Sequence, residues 1–270
     1  MRHWTIRVIA VLLLCVAGAQ VRAVEFAAHR ALYGLTLAHA GQGSGISSVS
    51  GELVVEWRNG CTGWTFEYRS VIDVIFAGRD PLRLASIAST WESSDGGTYR
   101  FSVRHQANGE DTERIEGSAT GAGKKKGGLV VFSKPEPRRM KLPAGTLFPI
   151  AHSIALMEEA GKDKTPTLLS RAVFDGMDAK GLYQVNAAMG RKNEKGSGRL
   201  PLRGALKGVP SWPVNLAYFS YADSKPEPDH EIKLRLYANG VADDMVLDFD
   251  EFAMNARIGR LELLKDPGCR

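Results

Sequence analysis

Apolar and polar residues alternate with a period of two along most of this chain. Leu53, Val55 and Trp57 are interleaved with Val54 and Glu56, and Trp64, Phe66 and Tyr68 with Thr65 and Glu67. Tyr99, Phe101 and Val103 face away from Arg100 and Ser102. Ile232, Leu234 and Leu236 oppose Lys233 and Arg235, and Met245, Leu247 and Phe249 oppose Asp248 and Asp250. Each run reads as a strand with one buried and one wet face. Turn formers separate the runs at short intervals: Asn59-Gly60, Asp95-Gly96-Gly97, Asn108-Gly109, Pro226-Glu227-Pro228 and Asn239-Gly240. Regular strand–turn–strand spacing predicts an all-β chain, an antiparallel meander that closes or curls into a barrel or sandwich. Strands do not alternate with helices, which disfavours a parallel nucleotide-binding sheet.

One segment breaks the period and predicts a single central helix. Thr146 is placed to cap it, Pro149 fits its first turn, and Leu147, Ile150, Ala151 and Ile154 recur at helical spacing. Glu158 is one turn from Lys162, and Gly161 supplies a stop. A lone amphipathic helix among strands plugs a barrel mouth or covers an open sheet edge. Gly41–Gly51 and Ser118–Gly128 read as flexible hairpin connections, with Lys124-Lys125-Lys126 at a solvated tip.

The first residues follow a different rule. Arg2, His3 and Arg7 precede the apolar run Val8–Ala19, and Val21-Arg22-Ala23 ends it with a cleavage site. Residues 1–23 are thus expected to be a secretory signal peptide cut after Ala23. The apolar run is shorter than the ~20 residues a membrane span needs. Cys15 follows the bulky Leu14 inside the apolar core, which argues against lipidation. Residues 24–270 are expected to form one exported domain in the periplasm, not membrane-spanning. Charged outward positions (Lys233, Arg235, Asp248, Asp250) argue against an outer-membrane barrel.

Removing the leader changes the charge balance. It holds Arg2, Arg7 and Arg22 and no acid, which leaves 32 Lys and Arg against 30 Asp and Glu, a net +2. That is too even for a nucleic-acid binder. Two cysteines then remain, Cys61 and the penultimate Cys269. In an oxidising compartment an even pair reads as one disulfide, here fastening a C-terminal tail that would otherwise fray.

Catalytic and metal motifs are missing at the level of sequence. Gly123-Lys124 is followed by Lys125 where a phosphate loop needs Ser or Thr for magnesium. There is no G-x-S-x-G elbow, and His29, His39, His105, His152 and His230 show no metal-binding spacing. Asp248-Phe249-Asp250-Glu251 lacks the glycine of a calcium loop and reads as a solvated strand face. His152, on the helix, reads as a hydrogen-bonded packing residue rather than a catalyst. No catalytic residue, cofactor or metal is expected.

Several ordered stretches together resemble the EipB-like cell-envelope integrity family. They are His29–Leu37 (HRALYGLTL), Gly60–Trp64 (GCTGW), Leu142–Pro149 (LPAGTLFP) with His152 after it, Val173–Gly176 (VFDG), Trp212–Phe219 (WPVNLAYF), and Tyr237–Val241 (YANGV) running into Leu247-Asp248-Phe249. The resemblance implies a long antiparallel sheet coiled into an open barrel or spiral with a helix near its middle. It also implies a disulfide between Cys61 and Cys269, a role in maintaining the periplasmic envelope, and no enzymatic activity.

Two functional readings follow. The first is a non-enzymatic protein that binds another periplasmic protein through a strand edge or groove. The alternative is a carrier or sensor of an apolar ligand, a lipid, held inside the barrel. The interior discriminates: Trp57, Trp64, Phe66, Phe101 and Tyr218 packed on one another favour a scaffold, and a continuous apolar cavity favours a carrier.

The leader and the cysteine pair each generate a prediction. Intact-mass measurement of the exported protein should find Val24 at the N-terminus and no lipid; an acylated Cys15 would overturn this. Cys61→Ser and Cys269→Ser should lower the melting temperature to the same extent, and the double variant no further, because each removes one and the same cross-link. Thiol labelling that finds both cysteines free in the periplasm would refute the pairing.

Overall fold

The computed structural model describes residues 26–121, 127–162, 166–197, 202, 204–223, 225–249, 251–265 and 267–268. The leader, Lys124–Lys126 and Cys269 lie outside them. Eight strands come first: β1 (His29–Ala40), β2 (Ile46–Gly60), β3 (Gly63–Phe76), β4 (Arg79–Ser93), β5 (Thr98–Ala107), β6 (Glu110–Thr120), β7 (Gly128–Lys134) and β8 (Arg138–Leu142). The helix α1 (Pro149–Ala160) follows. Six more strands follow among the described residues: β9 (Thr167–Phe174), β10 (Leu182–Met189), β11 (Ser211–Ser220), β12 (His230–Tyr237), β13 (Ala242–Asp248) and β14 (Phe252–Leu263). All 14 join in one antiparallel sheet, ordered β8 to β1 and then β14 back to β9, which curls into a nearly closed barrel. The barrel, not the sandwich, is therefore the outcome of the meander.

Alternation decides which face turns inward. Tyr99, Phe101 and Val103 on β5 are buried and Arg100, Ser102 and Arg104 exposed. Tight turns keep neighbouring strands in register. Asn108 and Gly109 both adopt positive φ (51° and 85°), the twist-matched two-residue hairpin that this dipeptide favours. Between β2 and β3 the two-residue turn is Cys61-Thr62, because Gly60 pairs with Gly63; the Asn59-Gly60 signal falls two residues early. Gly51 lies within β2 rather than in a connection. Asp248 ends β13 and Phe249 and Glu251 belong to the turn into β14, so the acidic stretch is not a continuous strand face.

The sheet leaves two edges, β8 and β9, and α1 lies between them in the chain. Leu147, just before the helix, forms a parallel bridge to Val173 of β9: its N–H donates to Ala172 O at 2.8 Å and its carbonyl accepts from Phe174 N–H at 2.9 Å. From the other side, Tyr99 Oη donates to Asp175 O at 2.7 Å, and Arg138 of β8 donates to Ala179 O. His105 Nε2 lies 3.0 Å from Met177 O. Phe148, at the N-cap of α1, is buried among Tyr99, Phe132 and Phe174, and the helix itself packs Ile150, Leu156, Met157 and Ala160 against the β9–β12 wall. The segment thus stitches two core clusters across the seam.

The helix N-terminus is held from a distance. Thr146 does not cap it: its Oγ1 donates to Pro143 O at 2.8 Å, within the turn before the helix. Pro149 does occupy the first turn, but the orphan N–H groups of Ile150 and Ala151 donate to the carboxylate of Glu92 on β4, at 2.8 and 2.9 Å. At the other end Lys162 pairs with Glu159, not Glu158. Glu92 is only 2% exposed. Burial, opposed by the two N–H groups, pushes its carboxyl up to about 7 from 4.5.

This cap has a pH signature. A carboxyl whose folded pKa exceeds its unfolded value contributes stability that is full below pH 4.5 and is lost as pH rises through 7. The shift corresponds to about 3 kcal/mol, at ~1.4 kcal/mol per pKa unit. Asp175, also raised to about 7, acts in the same direction. Buried His29 and His152, with pKa values lowered by desolvation, act in the opposite one. Glu92→Gln isolates the effect: the wild-type stability advantage over this variant should be largest near pH 4.5 and shrink as pH passes 7, read by chemical denaturation. An advantage that grows with pH would show that the cap holds Glu92 ionised.

Candidate functional site

Strand alternation leaves the barrel interior apolar but not full. A cavity of about 380 Å³ opens between β1–β3, β11–β13 and α1, within the size range of small-molecule sites. Leu53, Val55, Trp57, Phe66 and Tyr68 line one wall; Leu216, Tyr218, Ile232, Leu234 and Leu236 line the opposite one. Pro149, His152, Ser153 and Leu156 of α1 form the remaining side. Another hollow, about 430 Å³, is a shallow groove on the outer faces of β10–β13. It is bordered by Lys233, Arg235 and Asp244, with Asp244 3.7 Å from Arg235 and 3.4 Å from Arg257.

The aromatic residues divide between cavity and solid core. Trp57, Phe66 and Tyr218 line the cavity. Trp64 meets Phe26 edge-on at 5.1 Å, and Trp57 meets the same ring at 5.4 Å, so Phe26 is the hub of a plug at one end. Phe101 belongs to a separate cluster, with Phe132 at 5.5 Å and Phe174 at 5.4 Å. That cluster needs Gly176, whose φ is +64° and where a Cβ would come within 2.8 Å of the Phe101 ring. Towards the β12 start, Tyr218 stacks on His230 at 4.2 Å, and His230 in turn lies 6.2 Å from Phe249.

Most polar atoms in the cavity are spent on the backbone. Tyr33 Oη donates to Ala242 O at 2.7 Å. His29 Nδ1 lies 2.8 Å from Ala27 O, and Ser153 Oγ donates to Pro149 O at 2.9 Å. Asp175 accepts Met177 N–H at 3.0 Å, and its burial together with the nearby Asp178 charge pushes its carboxyl up to about 7. His152 differs. It is 6% exposed and its Nε2 has no hydrogen-bond partner, so it is a packing residue but not the hydrogen-bonded one the sequence implied. Burial, reinforced by the charge of Arg171, pushes its imidazole down to about 4. Ser153 Oγ bonds to the backbone rather than to His152, so this pair is not assembled as nucleophile and base.

Cys61 is not among the cavity-lining residues; it is exposed in the β2–β3 turn. Glu92 and Asp175 were missed as functional residues. Glu92 carries a legible signal, since it follows Ala88 and Thr90 in the inward phase of β4. Asp175 carries none in the alternation, because it lies just past the end of β9, and its one signal is its place in the Val173–Gly176 stretch.

Among the described residues no helix is long and apolar enough to cross a membrane. Residues 20–265 match a family model described as EipB-like. The chain is 29% identical over 255 residues to the cell envelope integrity protein EipB of Brucella abortus (strain 2308), covering 92% of this chain and 88% of that protein. It also resembles the crystal structure of a β-barrel-like protein of a domain of unknown function from Brucella abortus. There the TM-score is 0.81 at 28% identity, over 90% of this chain and 100% of the other.

Proposed function

Since this chain belongs to the EipB-like family, we propose that it is an exported, non-catalytic envelope protein that supports cell-envelope integrity by holding an apolar molecule inside its barrel. The envelope role rests on the name of the Brucella relative and the site on the interior cavity. The single observation that carries the binding reading is that cavity: within the 14-stranded sheet, β1–β3, β11–β13 and α1 surround an aromatic-lined, half-open hollow beside the packed core. A chain selected only as a scaffold gains by filling such space, because packed atoms contribute dispersion energy that a void forfeits.

The protein-partner reading, first on sequence, draws less support from the same fold. Strand addition needs an open edge. The end of the β9 edge, at Val173, is taken by Leu147, and β8 is five residues long with Arg138, Arg139 and Lys141, the charged, short edge that resists further pairing. We also propose that Cys61 and Cys269 are joined. His29 pairs with Leu263 on one side and with Trp57 on the other, so β14 and β2 flank β1 and run towards the same end. Two strand spacings, ~10 Å, separate them, and a tail of six residues reaches up to about 20 Å.

The test fills the cavity. Leu216→Trp and Val55→Trp each place an indole in the hollow from opposite walls. Both folded variants should lose at least ten-fold in affinity for the neutral fluorophore N-phenyl-1-naphthylamine, and should fail to restore detergent resistance to cells lacking the protein. Filled variants that restore resistance as the wild type does would refute the reading.

A further inference from the structure

The cavity has a polarity as well as a volume, and that polarity selects among ligands. Among the described residues its lining contains no lysine or arginine. Its ionisable groups other than tyrosine are His29, His152 and Asp175. His29 is already hydrogen-bonded through Nδ1. Asp175 is an acid, and an anion placed beside it meets repulsion or an uncharged carboxyl, never a counter-ion. An ionised head group carried into this space would be a buried charge without a partner, the costliest group to place there.

Against that background, one side chain lacks something. His152 is fixed on α1, walled by the helix, and its Nε2 is unmet. Buried polar atoms in folded proteins are almost always satisfied, so an orphan on a cavity wall marks where a ligand atom or an ordered water belongs. Burial keeps the imidazole neutral near pH 7, which leaves it able to accept from a hydroxyl or donate to a carbonyl, according to tautomer, but not to pair with a carboxylate as a cation. The nearest charge acting on it, Arg171, belongs to an exposed position of β9.

We infer that the barrel takes an uncharged lipid bearing a hydroxyl or ester group, of the acylglycerol or long-chain alcohol kind, with that group on His152 and its chain against Trp57, Phe66 and Leu216. Ionised amphiphiles of the same chain length are discriminated against. This assignment rests on the apolar-ligand reading above and names its ligand class.

Displacement of N-phenyl-1-naphthylamine from the exported wild-type protein near neutral pH separates the two claims. Monomyristoylglycerol should displace the probe at a concentration at least ten-fold lower than myristate. His152→Leu should weaken monomyristoylglycerol five- to ten-fold, and His152→Gln should recover most of the loss. Equal displacement by myristate and the glyceride overturns the ligand class. So does a folded His152→Gln protein as weak for the glyceride as His152→Leu, since that reports packing only. Failure of the wild type to bind the probe at all overturns the apolar-ligand reading instead. The glyceride-to-myristate ratio needs only wild-type protein, so the class stays decidable if a variant fails to fold.

Discussion

The structure depends on closing one seam. An antiparallel sheet of 14 strands curls until β8 and β9 approach, and each edge would present unpaired N–H and C=O groups if left open. Here a single chain segment finishes the job: Leu147 adds a short parallel pairing to β9, Phe148 drives a ring into the β5–β8 cluster, and α1 lies on the β9–β12 wall. The helix is only 12 residues long, too short to be stable alone. It exists because Glu92 satisfies two of its first N–H groups and because its apolar face is buried. A carboxylate on β4 therefore fixes an element encoded almost sixty residues later, and through it the closure of the barrel.

Much of this was legible in the sequence, and the failures have a common cause. Period-two alternation marked β2, β3, β5, β12 and β13, and the change of period marked the helix, because both signals come from residues a few positions apart. Thr146, Glu158 and Asn59-Gly60 were misassigned because local motifs were trusted where tertiary partners decide. Thr146 faces Pro143, and the cap arrives from Glu92. Glu159, not Glu158, meets Lys162. The register of β2 and β3 carries their pairing through Gly60 and moves the turn to Cys61-Thr62. The cavity was posed as one of two outcomes and no pattern could choose between them: alternation says which side chains point inward, not whether they meet.

Why the interior is hollow follows from how the barrel divides its core. Tyr99, Phe101, Phe132, Phe148 and Phe174 fill one side with rings 5–6 Å apart, and Gly176 gives up its side chain to let Phe101 in. Around Phe26, Trp57 and Trp64 a second group closes one end. Between them Leu53, Leu216 and Leu234 line the hollow, while Tyr33 and Tyr99 are tied by their hydroxyls to the backbone carbonyls of Ala242 and Asp175. Side chains anchored in this way are what the proposed binding reading asks of the walls, since a preorganised site loses less on ordering.

On the proposed reading, closure and binding are not separate properties. The helix that seals the seam is also a cavity wall: Glu92 holds its first turn, His152 and Leu156 face the hollow, and Leu156 and Met157 continue into the core. A molecule that seats against α1 only while the seam is closed stabilises that closure by RT ln(1 + [L]/Kd). The same coupling runs in reverse. Weakening the Glu92 cap loosens the wall that carries His152, so the buried carboxyl on β4 and the unmet imidazole on α1, though they never touch, act on one equilibrium.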